Sequence, residues 1–363
     1  ARLEASGYFV VYADALNYVN PAGELDISDL LLTLAGAFSD ALEAALKLDL
    51  KDESYWSRLT SFLTRTEIEF TEVGGSIEGA ELKAALKASP TFRQVLQKKM
   101  AFHLGSLKQD VHRFFEDGVK AIQKRRGADV QVVFIFDSLE QIRGSLVNQE
   151  SVIHSVESIF EGHLDKLKLP YIHAVYTVPP WLKFVLPGIG NIVLLPSIRQ
   201  WRNDPARTPY VQGVDALRAM VKRRLTEEGA SQLFSDPSQV DRLIDVCGGH
   251  FRDLLRLLSE TLLRAQSLPV PDPVLEKAIK AVRRNFLPIS VEDAHWLDRI
   301  AATRLPNHRT RADVHRLARF LDSHLVLYLT NGEEWYDIHP LIREEVEKTV
   351  AHYPLETTPG NGA

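Results

Sequence analysis

Two acidic residues, Asp137 and Glu140, follow an apolar run and could together carry metal and acid–base chemistry. The run at 132–136 consists of β-branched and aromatic residues, which is typical of a strand buried on both faces of a parallel sheet. Open α/β sheets bind ligands at the carboxyl ends of such strands. A carboxylate there can hold a hard cation such as Mg²⁺, and a second one can orient a water molecule as a general base. The alternative for both is an ordinary carboxylate in the loop after a buried strand.

Two further side chains have spacing that fits the same kind of site. Thr177 ends the next apolar run, at 171–177, where a small polar group can contact a phosphate or an attacking water. Gly248 and Gly249 open the segment G-G-H-F-R-D-L, and they permit a tight turn and close approach of the backbone to the core. Arg252 then lies in the first turn of a helix, where the helix dipole disfavours a cation and a nearby anion would compensate. The alternatives are a β-branched strand residue for Thr177 and a surface ion pair for Arg252.

The predicted secondary structure that must position these residues differs between the two parts of the chain, before and after residue 200. Up to residue 200, strands alternate with helices, which predicts an α/β fold with a parallel sheet. The predicted strands are 8–13, 67–73 (a half-exposed hairpin strand), 132–136, 171–177 and 191–195; the predicted helices start near Asp26 or Ser28 and cover about 53–65, 91–126 and 150–167.

After residue 200 the sequence predicts helices and one hairpin. A polar linker covers 201–209, and helices follow at about 212–227, 238–247, 251–266, 274–286, 291–302 and 311–322. Asn331-Gly332 between two apolar runs is a strong β-hairpin signal. Two or three helices followed by a hairpin is the layout of a winged helix.

These motifs together resemble a bacterial AAA+/STAND-type P-loop ATPase, related to the origin-recognition and NACHT-like branches. D-S-L-E at 137–140 resembles the Walker B segment, and G-G-x-x-R-D-L resembles a helical lid carrying the sensor 2 arginine. The resemblance implies ATP and Mg²⁺ as cofactors. It implies that Asp137 holds Mg²⁺, Glu140 positions water, and Thr177 and Arg252 contact the γ-phosphate. Tyr210, at the entry to the lid, is the matching position for an adenine contact.

The sequence departs from that family in two places. The Walker A pattern G-x-x-x-x-G-K-[ST] does not occur in these residues, and Ser138 stands where many AAA+ enzymes have the catalytic glutamate. Residues 1–5 are typical of a helix end, which predicts that the chain begins inside the helix after the phosphate loop. We therefore expect this chain to bind ATP poorly by itself, and hydrolysis in the complete protein to be slow or absent.

The resemblance predicts a domain order and a function. The expected domains are an ATPase core at 1–200 with an insertion at about 50–90, a helical lid at 201–288, a winged helix at 289–350 and a flexible tail at 351–363. The expected function is an ATP-dependent switch in bacterial signalling or defence against phage, with oligomerisation on ATP. The alternatives are a non-catalytic DNA-binding or scaffold protein and a loader ATPase for transposition or replication.

The basic residues of the predicted winged helix bear on the choice of partner. Arg311, Arg316 and Arg319 could touch DNA phosphates, whereas Glu333 and Glu334 at the hairpin tip would repel them. Contact with a partner protein is therefore favoured over contact with DNA.

Composition limits the classes of function. The 363 residues carry a net charge of −5, which argues against coating nucleic acid through bulk charge. No run approaches the ~18 apolar residues of a membrane span, and no Cys/His pattern typical of zinc occurs. The single cysteine, Cys247, suits a reducing cytoplasm and its apolar neighbours predict a buried structural residue.

Overall fold

The computed structural model describes residues 2–46, 55–65, 79–145, 147–186 and 192–354. The chain divides into two compact units, Ala1–Ile189 and Gly190–Ala363. Each unit has its own core and is described by itself.

Unit 1 is an α/β unit in which helices surround a small sheet. Its described elements, in chain order, are α1 (Arg2–Ala5), β1 (Phe9–Asp14), a 3₁₀ turn (Ala15–Asn17), α2 (Ile27–Leu46), α3 (Tyr55–Arg65), α4 (Gly79–Ala88), α5 (Pro90–Met100), α6 (Leu104–Arg126), β2 (Val132–Asp137), a 3₁₀ turn (Leu139–Gln141), α7 (Gln149–Gly162), β3 (His173–Tyr176) and α8 (Leu182–Val185).

The sheet is parallel, with strand order β1-β2-β3. Strand β2 lies in the middle, and its apolar side chains pack on both faces of the sheet, as the uninterrupted apolar run predicts. Phe134 and Phe136 are fully buried, and the ring of Phe134 contacts the rings of Phe38 on α2 and Phe115 on α6. The packing of these rings fixes β2, and therefore the position of the residues that follow it.

Two predicted helices of unit 1 differ from the structure. The predicted helix 91–126 is two helices, α5 and α6, separated by a turn at residues 101–103 in which Phe102 is 89% exposed. Buried Met100 and Leu107 are seven residues apart, so the apolar stripe stays in phase across the interruption and the periodicity could not reveal it. The predicted helix 150–167 ends at Gly162, after which the chain makes turns through residues 163–167. The predicted strand 67–73 lies outside the described residues.

Unit 2 is mainly helical. Its described elements are α9 (Val211–Leu225), α10 (Glu227–Leu233), α11 (Pro237–Cys247), α12 (Phe251–Arg264), α13 (Asp272–Arg283), a 3₁₀ turn (Arg284–Phe286), α14 (Val291–Thr303), α15 (Arg311–Asp322), β4 (Val326–Thr330), β5 (Glu334–Ile338) and α16 (Pro340–His352).

The hairpin predicted at Asn331-Gly332 is present, and the strand predicted at 191–195 is not formed by its described residues. Strands β4 and β5 pair antiparallel, and Gly332 has a φ of +102°, a conformation that favours glycine. Residues 192–195 have no strand structure, and Val193 and Leu195 are more than 80% exposed. The reason is the lack of a paired neighbour, because an apolar run becomes a strand only where another strand satisfies its backbone groups.

Replacement of Phe134 by alanine tests the packing of β2. The ring is 0% exposed within an aromatic cluster, so its loss removes apolar contacts and leaves a cavity. We expect the free energy of unfolding of unit 1 to fall by about 3–5 kcal/mol, measured by urea denaturation. Val175→Ala on β3, where the side chain is 46% exposed, is the control and should change stability by less than about 1 kcal/mol. A loss below about 1 kcal/mol for Phe134→Ala would contradict the role of this ring.

Candidate functional site

Asp137 is the last residue of β2, and its carboxylate is held by two hydrogen bonds. The backbone N–H of Ser138 donates to Oδ1 at 2.9 Å, and the hydroxyl of Tyr12 donates to Oδ2 at 2.8 Å. The residue is half-buried. A carboxylate has about four acceptor positions, so these two bonds leave it able to accept a further ligand.

The turn after β2 brings Glu140 to the end of β3. Ser138 has a left-handed backbone with a φ of +72°, and a 3₁₀ turn carries Glu140 immediately afterwards. The hydroxyl of Thr177 donates to Glu140 Oε2 at 2.7 Å, and the N–H of Thr177 donates to the carbonyl of Phe136 at 3.2 Å. Two residues chosen from the sequence, 37 positions apart, are therefore in direct contact at neighbouring strand ends.

Asp14 and Tyr12 on β1 belong to the same edge, and the sequence argument did not select either of them. Asp14 is the register partner of Asp137, and its Oδ1 accepts from the N–H of Leu16 at 3.0 Å. Tyr12 is 54% exposed. The hydrogen bond to Asp137, together with partial burial and the charges of Asp137, Asp14 and Glu140, raises the pKa of Tyr12 to about 12. The available signal was the carboxyl terminus of β1, since parallel strands end at one edge of the sheet.

This strand-end edge, defined as Tyr12, Asp14, Asp137, Glu140 and Thr177, offers mainly oxygen atoms. Carboxylate oxygens are the ligands that Mg²⁺ prefers, and Mg²⁺ takes few of its ligands from protein. The donor set therefore fits a hard divalent cation.

The glycine pair in unit 2 behaves as its sequence predicts. Gly248 and Gly249 have φ values of +63° and +76°, and a Cβ on Gly249 would lie 1.8 Å from the carbonyl oxygen of Ile198. The N–H of Ile198 donates to the carbonyl of Gly249 at 3.0 Å. The close approach of these two backbone segments thus requires glycine at position 249.

Arg252 is the second residue of α12 and its side chain is exposed. Among the described residues the Arg252 side chain makes no ion pair or hydrogen bond. The alternative interpretation, a surface arginine paired with a carboxylate, has no support in the described part of the chain.

The residue after it, Asp253, is a buried hub that the sequence analysis did not single out. Its Oδ2 lies 2.6 Å from Nδ1 of His250, and its Oδ1 lies 2.9 Å from a guanidinium nitrogen of Arg256. Nε2 of the buried His339 lies 3.5 Å from Oδ2. Burial alone would raise the pKa of the Asp253 carboxyl, but the imidazoles of His250 and His339 outweigh it and hold the pKa below its usual range.

The structure also shows the contacts of Tyr210 and the burial of Cys247. Tyr210 is the N-cap residue of α9, and the guanidinium of Arg199 lies 3.7 Å from the centre of its ring. One face of this ring is therefore occupied by a cation. Cys247 is buried as predicted, and burial raises the pKa of its thiol to about 12.

Two of the three arginines considered for DNA contact form ion pairs with the neighbouring helix α14. Arg316 pairs with Glu292 and Asp293, and Arg319 pairs with Asp293. Arg311 is exposed at the start of α15. Ion pairs within the unit reduce the positive charge that this helix can offer to a phosphate backbone.

The helices of the described residues are all too short or too polar to cross a membrane.

Comparison with known proteins finds weak similarity to solved structures and none to family models or curated sequences. Among solved structures, the chain is similar to the Aeropyrum pernix ORC2 protein, determined as ADPNP–ADP complexes, with 11% identity and a TM-score of 0.32 over 97% of this chain and 81% of that chain. A similarity of this size supports no inference about fold or function.

Replacement of Asp137 by asparagine tests the geometry of the strand-end edge. The substitution removes a negative charge beside the hydroxyl of Tyr12, so we expect the pKa of Tyr12 to fall from about 12 toward the ordinary value of about 10. The measurement is an NMR pH titration of tyrosine ring carbons, with Tyr12→Phe assigning the signal. Asp129→Asn, exposed just before the other end of β2, should leave the titration unchanged. An unaltered Tyr12 titration in Asp137→Asn would show that the two side chains are not in contact.

Proposed function

We propose that the protein is an ATP-dependent molecular switch with a core of the P-loop ATPase type, and that the strand-end edge binds Mg²⁺–ATP. The observation that carries the proposal is the 2.7 Å contact between Thr177 and Glu140, beside Asp137 at the end of the central strand. Ligands of open parallel sheets bind at this end of the strands. The segment that resembles Walker B and Thr177, the expected γ-phosphate contact, thus lie side by side.

The roles of the residues follow from their contacts. Asp137, whose two carboxylate oxygens each accept one hydrogen bond, would hold the cation. Glu140 would orient a water molecule, and the hydroxyl of Thr177 fixes the direction of its carboxylate. Bound Mg²⁺ would neutralise charge on the phosphates. Glu140 follows Asp137 by three residues through a left-handed turn, and Ser138 stands where many AAA+ enzymes have the catalytic glutamate. We therefore expect slow ATP hydrolysis, which suits a switch better than a motor.

The roles in unit 2 complete the proposal. We assign Arg252 to sensing the γ-phosphate, because it is an exposed arginine without an intramolecular partner among the described residues. Tyr210 would contact adenine through the ring face that Arg199 does not cover. Residues 201–288 would act as the lid, and α14, α15, the hairpin and α16 as a winged helix.

The biological setting is proposed from the same resemblance. Bacterial signalling or defence against phage, with assembly into oligomers on ATP, is the setting we favour. A DNA-binding scaffold is less well supported, since Arg316 and Arg319 already pair with carboxylates of α14.

Nucleotide binding by the protein produced from the complete gene tests the proposal. We expect Mg²⁺–ATP affinity, measured by calorimetry, to fall at least about tenfold in Asp137→Asn, because charge-assisted contacts are the strong ones. Glu140→Gln should retain binding and slow ATP hydrolysis. Arg252→Ala should fold normally and weaken ATP-driven assembly. Asp129→Asn and the exposed Arg223→Ala are the matched controls.

Two results would contradict the proposal. One is Mg²⁺–ATP affinity in Asp137→Asn equal to that of the unchanged protein. The other is nucleotide-independent, strongly salt-dependent binding of duplex DNA, which would favour the scaffold alternative.

A further inference from the structure

A single buried carboxylate in unit 2, Asp337 on β5, is surrounded by three arginines. Arg207 approaches to 2.7 Å and Arg343 to 2.8 Å, and Arg304 also forms an ion pair with it. The backbone N–H of Ile338 donates to Oδ1 at 2.8 Å. The side chain of Asp337 is 0% exposed, while the three arginine side chains are 14–26% exposed.

Four separate segments build this arginine cluster, defined as Arg207, Arg304 and Arg343 around Asp337. Arg207 lies in the loop closed by the bridge between Trp201 and Pro209. Arg304 caps the end of α14 with a left-handed φ of +63°, and its carbonyl accepts from the N–H of Tyr336. Arg343 lies on α16. Such convergence fixes the direction of each guanidinium, which a binding site requires.

The charges in the cluster do not balance. Three guanidinium groups face one carboxylate, a net charge of +2, and no other carboxylate pairs with them among the described residues. Buried charge is costly unless it is paired. Burial lowers the pKa of Arg207 to about 10, and the neighbouring Arg343 and Arg304 add to this while Asp337 opposes it.

The three guanidinium groups also have more hydrogen-bond donors than Asp337 has acceptor positions. Each guanidinium carries five N–H donors, whereas a carboxylate accepts about four hydrogen bonds. Asp337 already accepts from Arg207, Arg343 and the N–H of Ile338, and pairs with Arg304. The remaining guanidinium donors therefore have no protein acceptor in the described part of unit 2, and the three arginine side chains keep 14–26% of their surface exposed.

We propose that the arginine cluster binds a phosphate group, with Asp337 holding the guanidinium groups in place from the inner side. A phosphate dianion matches the net charge of +2. Its tetrahedral oxygens accept forked hydrogen bonds from several guanidinium groups at once, a geometry in which arginine is preferred over lysine. The ligand is a small molecule that carries a terminal phosphate or is orthophosphate itself. All residues of this site belong to unit 2, whereas the strand-end edge belongs to unit 1.

Orthophosphate binding by the full chain tests this site. We expect orthophosphate to raise the midpoint of thermal unfolding relative to chloride at equal ionic strength, because a ligand that binds the folded state stabilises it. Arg343→Gln should weaken orthophosphate affinity, measured by calorimetry, at least about tenfold. Arg343→Lys keeps the positive charge but cannot donate two parallel hydrogen bonds, so we expect a smaller loss of orthophosphate affinity. This variant replaces Arg343→Gln in the test if the glutamine variant folds poorly.

Control variants test whether the loss of affinity is specific to the arginine cluster, and a second ligand series tests which kind of phosphate binds. Arg283→Gln removes an arginine of unit 2 that is 30% exposed and pairs with Glu344, and it should leave orthophosphate affinity unchanged. Asp137→Asn should also leave it unchanged, which separates this site from the proposed ATP site. If the protein binds ATP through Arg343 and does not bind adenosine, the ligand of the cluster is the phosphate of a nucleotide. If ATP and orthophosphate bind with equal affinity, the ligand is free phosphate.

Three outcomes would overturn the proposal. One is an orthophosphate effect no larger than that of chloride in the unchanged protein. Another is an equal loss of affinity in Arg283→Gln and Arg343→Gln, and the third is binding of duplex DNA without any affinity for orthophosphate. The first two would leave the cluster only the structural role of fastening the loop, α14 and α16 to β5, and the third would make a nucleic acid its ligand in place of a small phosphate.

Discussion

The burial of β2 on both faces of the sheet is the constraint on which the proposed function depends. Phe134 packs against aromatic rings from α2 and α6, and the buried Phe136 packs against Phe134, so the strand cannot slide or rotate without losing that packing. Asp137 is fixed as the first polar side chain beyond the core. The left-handed Ser138 then turns the chain so that Glu140 reaches Thr177.

Unit 2 contains two buried carboxylates, Asp253 and Asp337, each surrounded by basic side chains. Asp253 is buried and held by imidazoles, and the adjacent Arg252 points into solvent from the same helix turn. Asp337 is buried and held by three arginines whose side chains are 14–26% exposed. Asp337 therefore fixes the guanidinium groups that we propose to bind phosphate, whereas Arg252 is only the chain neighbour of Asp253.

The sequence predicted the features that have strong local causes. The apolar run of β2, the glycine pair at 248–249 and the hairpin at Asn331-Gly332 all appear as expected. The interruption between α5 and α6 was missed because the apolar stripe continues in phase across it. Tyr12 was missed because it looks like an ordinary strand residue, and the arginine cluster was missed because its members are up to 136 residues apart and only the tertiary fold brings them together.

Paramagnetic broadening by Mn²⁺, which takes similar oxygen ligands to Mg²⁺, tests the central claim most directly. With ATP and Mn²⁺ added to the isotopically labelled complete protein, the account predicts that the amide signals of Tyr12, Ser138 and Thr177 broaden first. The same signals should stay sharp in Asp137→Asn. Broadening confined to residues away from the ends of β1, β2 and β3, or unchanged by Asp137→Asn, would contradict a cation site at this edge of the sheet.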